Sequence, residues 1–181
     1  NLSLATEYLL KQIEAADAQT LNITNQTATQ PQVKLGQNID VVLATQYLTN
    51  LMDYITNNQT LKTRVSKSLD KCVVKIQHAQ SENGSIKGAG WAGVLQSSFA
   101  TNALESAKAA GASVDDEKLE RYKNYQKGNY DAKTNSVATG DGAGVMLYSI
   151  SGTARSTARE ASIAKDKIAK AKKEGKLSPT S

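Results

Sequence analysis

The chain has one cysteine in 181 residues, which excludes an internal disulfide and any metal site built from several thiolates. Aromatic residues make up only 5% of it, so a core must come mostly from Leu, Val, Ile and Ala. No apolar run approaches the roughly 20 residues needed to cross a bilayer. No secretory leader pattern is visible. There is no HExxH, no phosphate-binding glycine loop leading into a helix with Lys, and no recognisable nucleophile–base pair. A chain that starts at Asn1 rather than Met is expected to be a processed product or part of a longer protein.

What is present is charge at one end and helical periodicity almost everywhere. The net charge is +5. Arg155 to Lys176 holds eight basic and three acidic residues, and the remainder holds fourteen of each. All the net charge therefore lies in one Lys/Ala-rich helical stretch. A basic surface for nucleic acid would be spread over a folded face and interleaved with aromatics or glycines, so a solvated helix face is expected and a nucleic-acid partner is not.

Leu2 to Ala18 carries Leu2, Ala5, Leu9 and Ala16 at helical spacing, with Ser3 as N-cap. Gln19 to Asn38 is polar, contains Pro31 and Gly36, and reads as a loop of about twenty residues, long for a compact domain. Asp40 to Asn57 is a helix with two stripes, Leu43, Tyr47, Leu51 and Tyr54 on one side and Val41, Leu48, Met52 and Ile55 on the other. Such a helix is expected to be buried on two sides. Leu61 to Gln80 shows the opposite pattern: Leu61, Val65, Leu69, Cys72 and Ile76 inward, and Lys62, Arg64, Lys67, Lys71 and Lys75 toward water. The next helix, Gly90 to Ala110, has the stripe Ala92, Leu95, Phe99, Ala103 and Ala107 and stops at Gly111 as C′ residue. Ser113 to Asp116 resembles a capping box opening a short helix to Gln126, with Leu119 and Tyr122 inward. Gly128 to Gly144 is a loop. A last helix, Val145 to Glu174, carries Ala154, Ala158, Ala161, Ala164, Ile168 and Ala171.

Lys87 to Ala107 aligns without a gap on Asp141 to Ala161 at an offset of 54, placing Gly88-Ala89-Gly90 on Gly142-Ala143-Gly144. Asn50 to Asp53 falls on Asn102 to Glu105 at an offset of 52. Each unit reads glycine-bearing loop, buried helix, turn, outer helix, and the expected architecture is all-α, with helical hairpins of about 50 residues in two layers. The domain boundaries expected are 1–38 for an N-terminal helix and polar loop and 39–181 for the hairpin repeats. The end of the chain repeats the plan once more: Gly175 stands as C′ residue, Ser178 as N-cap and Pro179 at N1. A repeat domain continuing beyond Ser181, or completed by another subunit, is the expectation, with an apolar flank of an inner helix left uncovered.

The chain from Gln37 to about Gly175 resembles a partial α/α toroid of the terpenoid-cyclase and protein-prenyltransferase type, similar also to the α/α polysaccharide lyases, and Gln80 to Gly111 carries the most specific repeat match. Gln80, Asn83-Gly84-Ser85 and Trp91 occupy the places of the Gln, the acidic-Gly-Ser turn and the aromatic in those repeats. The resemblance implies that Gln80 caps the next inner helix and that Trp91 packs between neighbouring hairpins. The second loop has Gly128-Asn129-Tyr130 and no Trp, so the match there is looser.

The chemistry of those enzymes is not found at the matching places. Cys72 and His78, six apart on one helix, face about 240° apart and cannot share a metal directly. Cys72 lies on the apolar stripe, and His78 suits the negative end of the helix. The nearest string to the cyclases' D-x-D-D is Ser113 to Asp116, which lacks the first Asp. Tyr125, Lys127, Tyr130, Asp131 and Asp141 cluster around the second loop and, with Trp91, form the candidate rim for a ligand or partner. The leading expectation is a non-catalytic binding or assembly module without cofactor or metal. Its partner would be a protein or a second copy, or a small molecule or glycan. The alternative is a toroid enzyme, a carbohydrate lyase or terpenoid-type cyclase, whose catalytic residues lie outside this segment. Abundant Asn, Gln, Ser and Thr with almost no Cys points to an exported bacterial protein.

Overall fold

The computed structural model describes residues 2–88, 93–131, 133–134, 136–137 and 146–176. Among them the fold is all-α: seven helices, one 3-10 turn and a hairpin of two-residue strands. Helix α1, Leu2–Ala15, buries Thr6, Leu10 and Ile13 on one face, and Ser3 lies inside the helix rather than capping it. The polar segment 19–38 is not one loop. Thr29 and Gln32 form a reciprocal capping box that starts α2, Gln30–Leu35, with Pro31 in its first turn. That T-x-x-Q signal was present in the sequence, but the surrounding Thr, Gln and Asn hid it.

Helix α3 runs Ile39–Leu51 and tightens into a 3-10 turn at Met52–Tyr54, short of the expected Asn57. Asn58 instead starts α4, Gln59–His78, by accepting the Leu61 N–H at 3.0 Å. On α4, Val65, Leu69, Cys72 and Ile76 are buried as the periodicity predicts. On α3 the two stripes are covered unequally. Val41 and Leu48 are fully buried, whereas Leu43 is 48% exposed, and Tyr54, beyond the helix, is 86% exposed. Its second flank faces a groove instead of a neighbour.

Helix α5, Gly93–Ala109, ends at Gly111 in the expected manner: φ is +91°, and the Ala112 N–H reaches the Ala107 carbonyl at 3.0 Å. Helix α6, Asp116–Gly128, is capped by Asp115 and not by Ser113. The Ser113 N–H is held at 3.0 Å by Asp70 of α4, which leaves the Asp115 carboxylate to accept from Lys118 at 3.1 Å. Strands β1, Tyr130–Asp131, and β2, Ser136–Val137, pair antiparallel. Helix α7, Met146–Lys173, is followed by Gly175 at φ +70°, with the Lys176 N–H on the Ala171 carbonyl at 2.9 Å, the same closure as at Gly111.

Helix α3 packs against α4 and α5, α5 packs against α6 and α7, and α1 lies on α4. The helices α3, α5 and α7 therefore follow one another as neighbours, with α4 beside α3 and α6 beside α5. Polar side chains tie α4 to α6. The Gln77 amide brackets the Asp115 backbone, donating to its carbonyl at 3.1 Å and accepting its N–H at 3.4 Å, and Tyr122 donates to the Ile76 carbonyl at 2.9 Å.

The lysine face of α4 is not wholly in water. Lys67 is exposed and Lys71 half-buried, but Lys75 is 1% exposed. The chain after α1 folds back over α4, and the Lys75 ammonium donates to the carbonyl of Thr20 at 2.6 Å and to that of Asp17. Lys71 donates to the Glu14 carbonyl at 3.0 Å, one of the acceptors left unpaired at the end of α1. Two lysines read as a solvated face thus close the C-terminus of another helix. Burial also lowers the Lys75 ammonium below its usual range. Lys75→Met, which keeps the stem and removes the donors, is expected to cost about 1–3 kcal/mol in urea unfolding by stranding those carbonyls. Lys67→Met should stay within about 0.5 kcal/mol of wild type. Equal effects of the two would contradict this account of Lys75.

Candidate functional site

The uncovered flank of α3 forms one wall of a groove of about 380 Å³, and α1 forms the other. Leu9, Tyr8 and Gln12 come from α1, Leu43, Ala44 and Tyr47 from α3, and Ile23 and Thr24 close one end. The sequence sets this up simply. Leu43 and Tyr47 are one helical turn apart, and Tyr8, Leu9 and Gln12 share the flank of α1 next to its buried face. Tyr47 bridges the walls: its hydroxyl meets Thr6 Oγ1 at 2.5 Å, and Thr6 donates onward to the Leu2 carbonyl at 2.9 Å. The groove is open and mostly apolar, with Tyr8 67% and Leu43 48% exposed.

Among the described residues, Asp40 is the one charged side chain lining this groove. Its Oδ2 accepts the Ile23 N–H at 2.9 Å, which holds the 17–24 segment against α3. Its buried Oδ1 has no hydrogen-bond partner, and Asp40 makes no ion pair among the described residues. Burial outweighs the Ile23 hydrogen bond and raises the carboxyl above its ordinary value of 3.8. A second hollow, about 500 Å³, lies at the start of α4 beside Thr60 and Arg64, but Arg64 is already committed to two carboxylates there.

A polar seam runs beneath the groove between α3 and α5. Gln96 Nε2 donates to Asn38 Oδ1 at 2.6 Å, and the Gln96 amide lies so close to Gly36 that a Cβ there would come within 1.9 Å of it. Gly36 sits at φ +100°, a conformation that favours glycine. Glu105, buried in α5, meets Lys123 of α6 at 3.5 Å.

The residues singled out in the sequence fall elsewhere. Trp91 and Asp141 lie outside the described residues. Tyr125 is half-buried on α6 and packs against the turn at Gly84, where a Cβ would stand 2.4 Å from the Arg121 carbonyl. Lys127 and Asp131 are exposed; the Asp131 carboxylate accepts the Lys133 N–H at 2.8 Å and closes the hairpin turn, which lowers its pKa. Tyr130 pairs with Val137 across that hairpin. Gln80 bonds α6 rather than capping α5: its amide donates to the Lys118 carbonyl at 2.8 Å and accepts from Arg121 at 3.1 Å. Cys72 is buried, and desolvation pushes its thiol up to about 12, so it is an inert core residue. No cluster of three or more His, Cys, Asp or Glu able to hold a metal occurs among the described residues. No helix among them is long and apolar enough to cross a membrane.

Compared with protein-family models, with curated proteins and with solved structures, the chain matches none.

The groove was missed in the sequence because Tyr8, Ile23 and Asp40 come together only once α1 is folded back. The signal for it in the sequence is the second apolar stripe on α3, Leu43, Tyr47, Leu51 and Tyr54. Asp40→Asn keeps an acceptor for the Ile23 N–H and removes the charge. A carboxyl whose folded pKa is raised stabilises the fold fully below its unfolded value and loses that contribution as pH rises through the folded one. The variant and wild type should therefore unfold alike below pH 3.8 and diverge above it, with the variant the more stable at neutral pH in urea titrations. A wild type that gains on the variant over that range contradicts the assignment.

Proposed function

We propose that this chain is a non-catalytic binding or assembly module, built on a helical-hairpin repeat like that of the prenyltransferase and terpenoid-cyclase toroids, and that the α1–α3 groove receives an apolar helical segment of its partner. The observation that carries the reading is the uncovered flank of α3 beside α1, with Leu43 and Tyr8 exposed and one unpaired carboxylate between apolar walls. A groove between two helices accepts a third helix through side chains spaced three and four apart. Its apolar lining favours burial, and Asp40 favours a segment that brings a cation.

The repeat reading has its own support. The helices α3, α5 and α7 are consecutive neighbours, and Gly111 and Gly175 close α5 and α7 with the same left-handed turn. In such an array every inner helix has two flanks to cover, and the groove is the flank of α3 turned away from α5. The described part of the candidate rim around Tyr125 and Asp131 closes turns and packs α6, which supports an assembly role for that loop more than a ligand role.

The test uses a monomeric amphipathic peptide of alanine, leucine and lysine, titrated into the isotopically labelled protein. Amide shifts should concentrate at Leu9, Leu43 and Ala44, and Leu43→Arg should abolish them. Shifts that are absent, or that fall on other helices, would rule the groove out as a binding surface.

A further inference from the structure

The same chain carries a segment that fits this groove. Beyond residue 160, α7 is largely in solvent: every side chain from Ala161 to Lys170 is exposed, with Ile163 43% and Ile168 48% exposed. Ala161, Ala164, Ile168 and Ala171 share one face, and Lys165 flanks it on one side and Lys167 on the other. A stripe of alanines with one isoleucine allows close approach to a wall made of Tyr8, Leu43 and Tyr47, the small residues of one surface meeting the large residues of the other. The flanking lysines bring a cation to Asp40, which makes no ion pair among the described residues.

Charge and topology agree. Residues 1–58 hold two basic and five acidic side chains, whereas Arg155 to Lys176 holds eight and three. The row α3–α5–α7 has the open flank of α3 at one end and the exposed residues 161–170 of α7 at the other. We infer that the exposed half of α7 of one copy docks in the α1–α3 groove of a second copy, so that copies associate head to tail and the row of inner helices continues from one chain into the next. The inference rests on the groove being a helix-binding surface. Such a contact pairs two different surfaces, so association closes into a ring or grows as a chain, according to the rotation between copies.

Sedimentation velocity on the full chain, up to about 100 μM, where a micromolar interface is well populated, reads this directly. Wild type should shift to larger species as concentration rises. Ile168→Asp on the arm and Leu43→Arg in the groove should each weaken association by at least about tenfold, as loss of a central anchor does. Both sites are half exposed, and circular dichroism checks that the fold is kept; Tyr8→Arg serves as a second groove variant if Leu43→Arg does not fold. The decisive sample is an equal mixture of the arm variant and a groove variant. One intact groove then meets one intact arm, and the mixture should form heterodimers and stop at two chains. A wild type that stays monomeric, variants that associate as well as wild type, or a mixture that forms no heterodimer would each overturn the inference. A monomeric chain that still binds the alanine–leucine–lysine peptide in its groove would overturn self-association alone and leave the groove a site for a different protein.

Discussion

Three cations on one face of α4 hold the N-terminal part of the molecule in place. Arg64, Lys71 and Lys75 are spaced seven and four apart, so they line up along the helix. Arg64 reaches Glu7 and Glu14, each at 2.5 Å, and Lys71 and Lys75 take the carbonyls at and just beyond the end of α1. The carboxylates are solvent-facing, where a lone ion pair contributes little, but Arg64 joins both at once, and such a network contributes more. The buried lysine matters more, because carbonyls turned inward have no water to replace it. Together these contacts fix where α1 lies, and only with α1 there do Leu10, Ile13 and Ile23 join the core formed by Val65, Leu69 and Ile76.

The groove is a consequence of that placement. Helix α1 is anchored to α4 on its acidic side, and its opposite flank is left facing α3 across a gap. Tyr47 spans the gap to Thr6, and Asp40 fastens the returning segment at Ile23. Below, the α3–α5 contact is unusually polar, with Asn38, Thr45, Gln96 and Thr101 all fully buried. Thr45 and Thr101 bond carbonyls of their own helices, whereas the Gln96–Asn38 hydrogen bond crosses the contact and would be lost if the helices slid by one turn.

Much of the fold was legible because it depends on local rules. The stripe from Val65 to Ile76 and the glycine stops at 111 and 175 follow from periodicity and left-handed backbone, and both are found where expected. The capping residues were legible only in part. Asp115 caps α6 in place of Ser113 because Asp70, 43 positions away in sequence, occupies the Ser113 N–H. Lys75 was misplaced for the same kind of reason: a lysine at that helical angle faces water unless another segment covers it, and the segment that does so comes 55 to 58 residues earlier. The candidate site depended on a similar long-range event. A second apolar stripe on α3 indicated a surface to be covered, but periodicity could not say that α1 would lie beside that surface without covering it.

The central claim is that α1 is a separately anchored wall of the groove, held from α4 by Arg64 and its lysines. Native-state hydrogen exchange tests it most directly, by comparing protection of the Leu10 and Ile13 amides in α1 with that of Val73 in α4. Arg64 holds the Glu7 and Glu14 carboxyls below their ordinary value of 4.5, so the stability they contribute is present above that value and lost as pH falls through the lowered ones. The account predicts that protection in α1 falls ahead of that in α4 over this acidic range, and that Arg64→Met produces the same separation already at neutral pH. Leu10 and Ile13 exchanging together with Val73 at every pH, and unchanged by Arg64→Met, would contradict it.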